Sequence, residues 1–173
     1  IGFANLLTSE DIPFSEAEKQ EYSRLITSNG DQLLRLISDI LDLSKIESNT
    51  MEFHFGEHSL HALLTDIYQA QRLCMPEGVL LRLMPQADTP IITDASRLKQ
   101  VVNNLINNAA KFTDEGSITF GFRSPQGCEQ VELFVHDTGK GIAQEHLDRI
   151  FERFYKADSF VKGVGLGLSI CRT

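Results

Sequence analysis

Four short stretches hold the residues able to do chemistry. The first is DASRLKQVVNNLINNAAKF, residues 94–112. At 3.6 residues per turn, Arg97, Gln100, Asn104, Asn108 and Lys111 fall in one narrow stripe, and Leu98, Val101, Val102, Leu105, Ile106 and Ala109 form a broad apolar face opposite. The stripe carries amides and cations but no carboxylate, whereas a solvated helix face normally mixes both charge signs. Amide oxygens suit a hard cation, and a Lys supplies a point charge for phosphate. Taken alone, the helix divides evenly between a phosphate–metal site and a plain polar surface.

The second stretch is HDTGKGI, residues 136–142. A carboxylate at a strand end followed by Gly139 and Gly141 lets backbone approach a flat ligand, and Asp137 can accept from an exocyclic amine such as that of adenine. A tight turn explains the same residues, because Asp and Gly dominate turns. The third, FERFYK (151–156), sets aromatics beside cations, or plugs the underside of a loop. The fourth, GVGLGLSI (163–170), runs alternating glycines into an apolar helix start, where free N–H groups attract anions. It lacks the Gly-Lys-Ser/Thr ending of a Walker motif, and no strand precedes it as a dinucleotide fingerprint requires.

The elements that must position these residues follow from periodicity. Ser15 is an N-cap, with Glu16 and Glu18 in the first turn of a long helix reaching Ser48. Its seam, Tyr22, Ile26, Asn29, Leu33, Leu36, Ile40 and Leu43, alternates steps of four and three; Leu25, Ile37 and Leu41 widen it into a face that favours a bundle closed by a second copy of the chain over a helix packed on its own domain. Asn29 either fixes register or is satisfied locally. Residues 48–50 break the pattern and mark a boundary between a part spanning 1–49 and one spanning 50–173. Beyond it the sequence predicts a strand over 51–55, a helix over 58–72, strands at 79–84 and 91–92, and the central helix capped by Asp94. Strands at 117–123 and 130–136, joined by a turn at 125–127, follow. The second part is thus α+β, with helices on one face of a mixed, largely antiparallel sheet.

The composition, 42% hydrophobic and 23% charged, is that of a globular domain, and the net charge of −8 argues against a nucleic-acid surface. Cys74, Cys128 and Cys171 show no metal spacing and read as reduced thiols of a cytoplasmic protein. Neither a bilayer-spanning run nor a signal peptide is visible. The opening IGFANLL reads as the middle of a helix and the ending GLSICRT as a helix under way, so the chain reads as a piece of a longer protein.

The order of the four stretches resembles that of the sensor histidine kinases of two-component systems. Residues 104–112 (NLINNAAKF) are similar to the family's Asn motif, and 137–141 (DTGKG) to its first Gly motif. Residues 151–155 (FERFY) are similar to its Phe motif, 163–168 (GVGLGL) to its second Gly motif, and 38–48 (SDILDLSKIES) to the end of its dimerisation hairpin. The resemblance covers essentially the whole chain. It implies a Bergerat ATP-binding fold, a two-layer α/β sandwich also found in gyrase, MutL and a heat-shock chaperone, preceded by a partial helical hairpin. It implies that Asn108 ligates the Mg2+ ion bridging the phosphates of ATP, with Asn104 nearby, and that Lys111 contacts phosphate with Phe112 near the adenine. Asp137 would bind the adenine amine in a pocket shaped by Gly139, Gly141 and Ile142. Residues 143–162 would include a lid carrying Phe154 and Tyr155, with Gly163, Gly165, Leu166, Gly167 and Leu168 on its phosphate side. The implied partners are the chain's own phosphoacceptor helix, a second protomer and a response-regulator receiver domain, in a parent anchored to a membrane.

Two departures stand against the pattern. The family's phosphoacceptor lies in His-Glu/Asp-x-x-Thr-Pro-Leu, a context that none of His54, His58, His61, His136 and His146 has. The expectation is ATP binding without self-phosphorylation. Val164 stands where the family usually has a hydroxyl. Two rivals remain at this point. An ATPase using water would need a Glu on this helix before the metal-binding Asn, and Arg97, Gln100 and Val101 stand there with no Glu among them. A silent dimerisation scaffold would not need Asn104, Asn108, Lys111 and Asp137.

Overall fold

A computed structural model describes residues 14–85, 87–124, 130–158 and 164–172 of the chain. The chain divides into two compact units, Ile1–Asn49 and Thr50–Thr173. The predicted helical start at 1–7, the turn at 125–127, Cys128 and Gly163 lie outside the described residues.

The first unit is described from Phe14 onward, and its helix α1 spans Glu16–Glu47. A capping box starts it: Ser15 Oγ accepts from Glu18 N at 3.3 Å, and the Glu18 carboxylate accepts from Ser15 N at 2.8 Å. The chain leaves the helix through Asn49 at φ 56°, an αL residue just past the end. Leu33, Leu34, Ile37, Ile40 and Leu41 all stand exposed. Asn29 Nδ2 donates to Leu25 O at 2.7 Å, so this amide is satisfied by its own helix.

In the second unit, β1 (Gly56–Ser59) leads into α2 (Leu60–Gln71), followed by β2 (Val79–Leu83), β3 (Pro90–Thr93) and α3 (Ala95–Lys111). Then come β4 (Gly116–Arg123), β5 (Glu132–Asp137), a single 3-10 turn at Gln144–His146, and α4 (Gly167–Cys171). The strands form two ladders, antiparallel β1–β3 and the mixed β2–β4–β5, in which β2–β4 is parallel and β4–β5 antiparallel. Helices α2 and α3 pack beside each other against these strands, giving the two layers of the α/β sandwich. The core between them joins Leu60, Leu64 and Ile67 of α2, Val102, Ile106 and Ala109 of α3, and Ile118, Phe120 and Phe122 of β4. Among the described residues, no helix is long and apolar enough to cross a membrane.

Three sequence expectations are corrected. Residues 51–55 form no strand; the ladder begins at Gly56, because β3 pairs Thr93 with Gly56 and Pro90 with Ser59. Phe53 and Phe55 instead stack on each other at 5.9 Å and stay exposed. Helix α2 starts at Leu60 rather than at 58, since Ser59 Oγ accepts from Ala62 N and caps it, leaving His58 in β1. The last strand begins at Glu132 and ends at Asp137, shifted from 130–136.

Candidate functional site

Asp94 fixes the helix that carries the polar stripe. Its Oδ1 accepts from Ser96 N, Ser96 Oγ and Arg97 N at 3.0, 2.7 and 3.1 Å, and its Oδ2 accepts from His54 N at 2.9 Å. These bonds, the Ser96 hydroxyl first, hold its carboxyl well below the ordinary carboxylate range. One acid thus caps α3 and ties down the segment entering β1. With Val102, Ile106 and Ala109 buried, the stripe must face away from the core.

The neighbouring amides of α3 separate by what they touch. Asn103 accepts from Gln71 Nε2 at 2.9 Å and links α3 to α2. Asn104 reaches Gly167 O at 3.5 Å, so the stripe lies against the start of α4, and a Cβ at Gly167 would stand 3.7 Å from Asn104 Cγ. Asn108 is half-buried one turn further along, and among the described residues its amide has no hydrogen-bond partner.

At the end of α3 the cations gather. Lys111 Nζ lies 5.1 Å from the Phe112 ring centroid and Lys140 Nζ 5.0 Å from the same centroid. Burial, then the charges of Lys156 and Lys140, push the Lys111 ammonium below its ordinary pKa, and Asp158 opposes the shift.

The glycine loop closes onto this point. Asp137 ends β5, half-buried, its Oδ1 accepting from Gly139 N at 2.9 Å. Lys140 N donates to Phe112 O at 3.1 Å. A Cβ at Gly139 would collide with Phe112 O and stand 2.7 Å from Thr113 Oγ1. The first glycine therefore provides close approach, while Gly141, at φ 70°, provides a left-handed turn. Ile142 is exposed beside them. Beneath the loop Thr113 is 2% exposed, and its hydroxyl has no hydrogen-bond partner among the described residues.

The aromatic segment is stitched to the second glycine run. Phe154 N donates to Gly165 O at 3.0 Å, and a Cβ at Gly165 would lie 2.7 Å from Tyr155 O. Tyr155 is held by His146 Nδ1 at 2.7 Å and by the Arg149 guanidinium 4.2 Å from its ring centroid. The plug reading fails for Phe154, which is 61% exposed at φ 60°. Leu166 is buried and anchors the segment, Leu168 is half-buried, and α4 is a helix of only five residues.

Asn104 and Gly167 thus come together, as do Phe112, Asp137, Gly139 and Lys140 with Lys111 beside them, while Phe154 and Tyr155 join through Gly165. Lys140, Thr113 and the His146–Tyr155 pair escaped the sequence reading. A Lys between two glycines looks like a solvated turn, and the spacing from 146 to 155 carries no periodic signal.

Comparison with known proteins gives two family matches. Residues 93–173 match the "Histidine kinase-, DNA gyrase B-, and HSP90-like ATPase" family, and residues 1–49 match the "His Kinase A (phospho-acceptor) domain" family. The histidine protein kinase DivJ of Caulobacter vibrioides is 34% identical over 99% of the chain, which spans 30% of that relative. The crystal structure of full-length ShkA in complex with AMPPNP superposes with a TM-score of 0.73 at 29% identity, covering 93% of this chain and 34% of that one. The histidine kinase ThkA in complex with the response regulator TrrA gives 0.65 at 25% identity, covering 99% of this chain and 48% of that one. The chain spans less than a third of the curated relatives that it matches first.

Proposed function

This chain belongs to the sensor histidine kinases, and we propose that it is the ATP-binding catalytic part of such a kinase together with the second helix of its dimerisation hairpin. Its parent would move the γ-phosphoryl group of Mg-ATP to a histidine of the hairpin and onward to a response-regulator aspartate. The observation carrying this reading is that both glycine motifs meet the Asn-motif helix α3 and its cap, through Asn104 with Gly167 and Phe112 with Lys140. The relatives' names and the AMPPNP and response-regulator complexes of ShkA and ThkA support it.

The residues divide the work by chemistry. The Asp137 carboxylate, its Oδ1 already fixed by Gly139 N, presents its other oxygen to the adenine amine. Phe112 and Ile142 supply apolar surface beside the base. Lys111 meets phosphate as a cation whose lowered pKa is relieved when negative charge arrives.

The donor set fits Mg2+. Among the described residues no His, Cys, Asp or Glu cluster forms a metal cage, and Mg2+ in phosphate sites takes few protein ligands, keeping waters and phosphate oxygens. The Asn108 amide, with no protein partner in the described residues, is the ligand we assign, with Asn104 next to it. When bound, the ion neutralises phosphate charge. Transfer then rests on positioning, with the base held at one end and the phosphates at the other.

The exposed stripe of α1 is proposed as the seam of a homodimeric bundle. Calorimetric titration with ATP tests the central reading. Binding that is strong with Mg2+, lost in chelator and weakened at least tenfold by Asn108→Ala is the expected result. Equal affinity in chelator would overturn the metal assignment, and no ATP binding at all would overturn the kinase reading.

A further inference from the structure

Lys140 stands in the middle of the loop that shapes the proposed adenine pocket, and its ammonium group lies by the Phe112 ring. Its backbone is pinned by the bond from Lys140 N to Phe112 O, and its Nζ lies 5.0 Å from the Phe112 centroid. Lys111 Nζ lies 5.1 Å from that centroid, so the two ammonium groups are within about 10 Å of each other, close enough for their charges to interact. Two like charges on one ring repel unless an anion stands with them. The anion recorded beside Lys140 is Asp158, at 3.5 Å. Both side chains of that pair are more than a third exposed, 54% and 39%, and an exposed pair of this kind is weak and easily exchanged. A polyphosphate, with several negative charges and many acceptors, is the stronger partner for an ammonium group.

We propose that Lys140 is a phosphate-binding residue whose ammonium group exchanges its partner, from the Asp158 carboxylate to the polyphosphate of a bound nucleotide. Asp158 then acts as an internal competitor of phosphate, and the loop that reads the base also senses the phosphates. The lowered pKa of Lys111 is compatible with this: burial is its largest cause, and behind it stand the charges of Lys156 and Lys140, which Asp158 opposes. The inference rests on the ATP-binding reading given above.

The test is calorimetry on the whole 173-residue chain, titrated with ATP in Mg2+ and separately with adenosine. Lys140→Gln should weaken ATP by about tenfold and leave adenosine within about twofold, whereas Lys140→Arg should keep most of the ATP affinity. Asp158→Asn should tighten ATP by about two- to threefold, and this gain should vanish in the Lys140→Gln background. If the wild type binds ATP but Lys140→Gln binds it equally well, or loses ATP and adenosine alike, Lys140 is not a phosphate ligand. A gain from Asp158→Asn that persists without Lys140 overturns the exchange. A wild-type chain that binds no ATP overturns the parent reading as well.

Discussion

The carbonyl oxygen of Phe112 meets Gly139: a Cβ there would collide with it, while the next residue, Lys140, donates its N–H to that oxygen at 3.1 Å. The end of α3 and the loop after β5 are therefore one joint. Gly139 has no left-handed φ, so what it supplies is space. Gly139→Ala should force the joint apart, destabilising the fold by about 1–3 kcal/mol as overpacking does. It should also weaken ATP by more than tenfold. Chemical denaturation together with ATP titration checks both, and a variant of unchanged affinity would show that the joint does not shape the pocket.

Asp137→Asn separates base reading from loop geometry. The Asn oxygen can still accept from Gly139 N, so the loop should persist. The charge-assisted bond to the adenine amine is lost, about 1–2 kcal/mol. ATP affinity should fall about five- to thirtyfold, and GTP, which presents an acceptor at that position, should fall much less. Parallel losses for both nucleotides would remove Asp137 from base recognition.

Asp94 gives the second unit an acid-sensitive element. Its carboxyl is held below the ordinary Asp value of about 3.9, which an unfolded chain recovers. Its contribution to stability is therefore complete above pH of about 4 and is lost as pH falls from there toward the folded-state value. Asn is also a good N-cap, so Asp94→Asn keeps α3 while removing the charge that Ser96, Arg97 and His54 N–H groups favour. The melting temperature of the variant should lie a few degrees below wild type at pH 7, and the gap should close below about pH 4. A gap constant across that range would contradict the assignment.

What the sequence made legible, and what it hid, follows from the range of the interactions involved. Helix α3 was readable because its cap, apolar face and polar stripe are all local, and Val102, Ile106 and Ala109 are buried as the period requires. The start of β1 was not. Met51 to Phe55 alternates well enough, but the ladder begins where β3 can pair, and that is a long-range fact. The same limit hid Lys140, whose meaning depends on a chain closure onto Phe112, and Thr113, whose isolation appears only once Gly139 covers it. Asp158 looked like an ordinary surface acid until it stood beside Lys140. The presence of Asn29 in the seam was visible, whereas its bond to Leu25 O, made within its own helix, was not.

The remaining prediction concerns α1. Leu33, Ile37, Ile40 and Leu41 stand 58%, 47%, 53% and 56% exposed, a contiguous apolar stripe of the kind that isolated soluble chains avoid. The stripe follows the alternating four-and-three spacing that sets helices side by side at about 20°. Self-association through α1 is the expected behaviour of the chain, detectable by sedimentation at concentrations of tens of micromolar, the range in which weak pairs populate. Leu36→Glu with Ile40→Glu places charges in the seam, where burying them unpaired is costly, so the double variant should sediment as a monomer. Its ATP affinity should stay within about twofold of wild type, because the proposed nucleotide residues all belong to the unit beginning at Thr50. A wild-type chain that sediments as a monomer, or a double variant that still associates, would place the interface elsewhere. Loss of ATP binding in the double variant would instead show that the two units do not act independently.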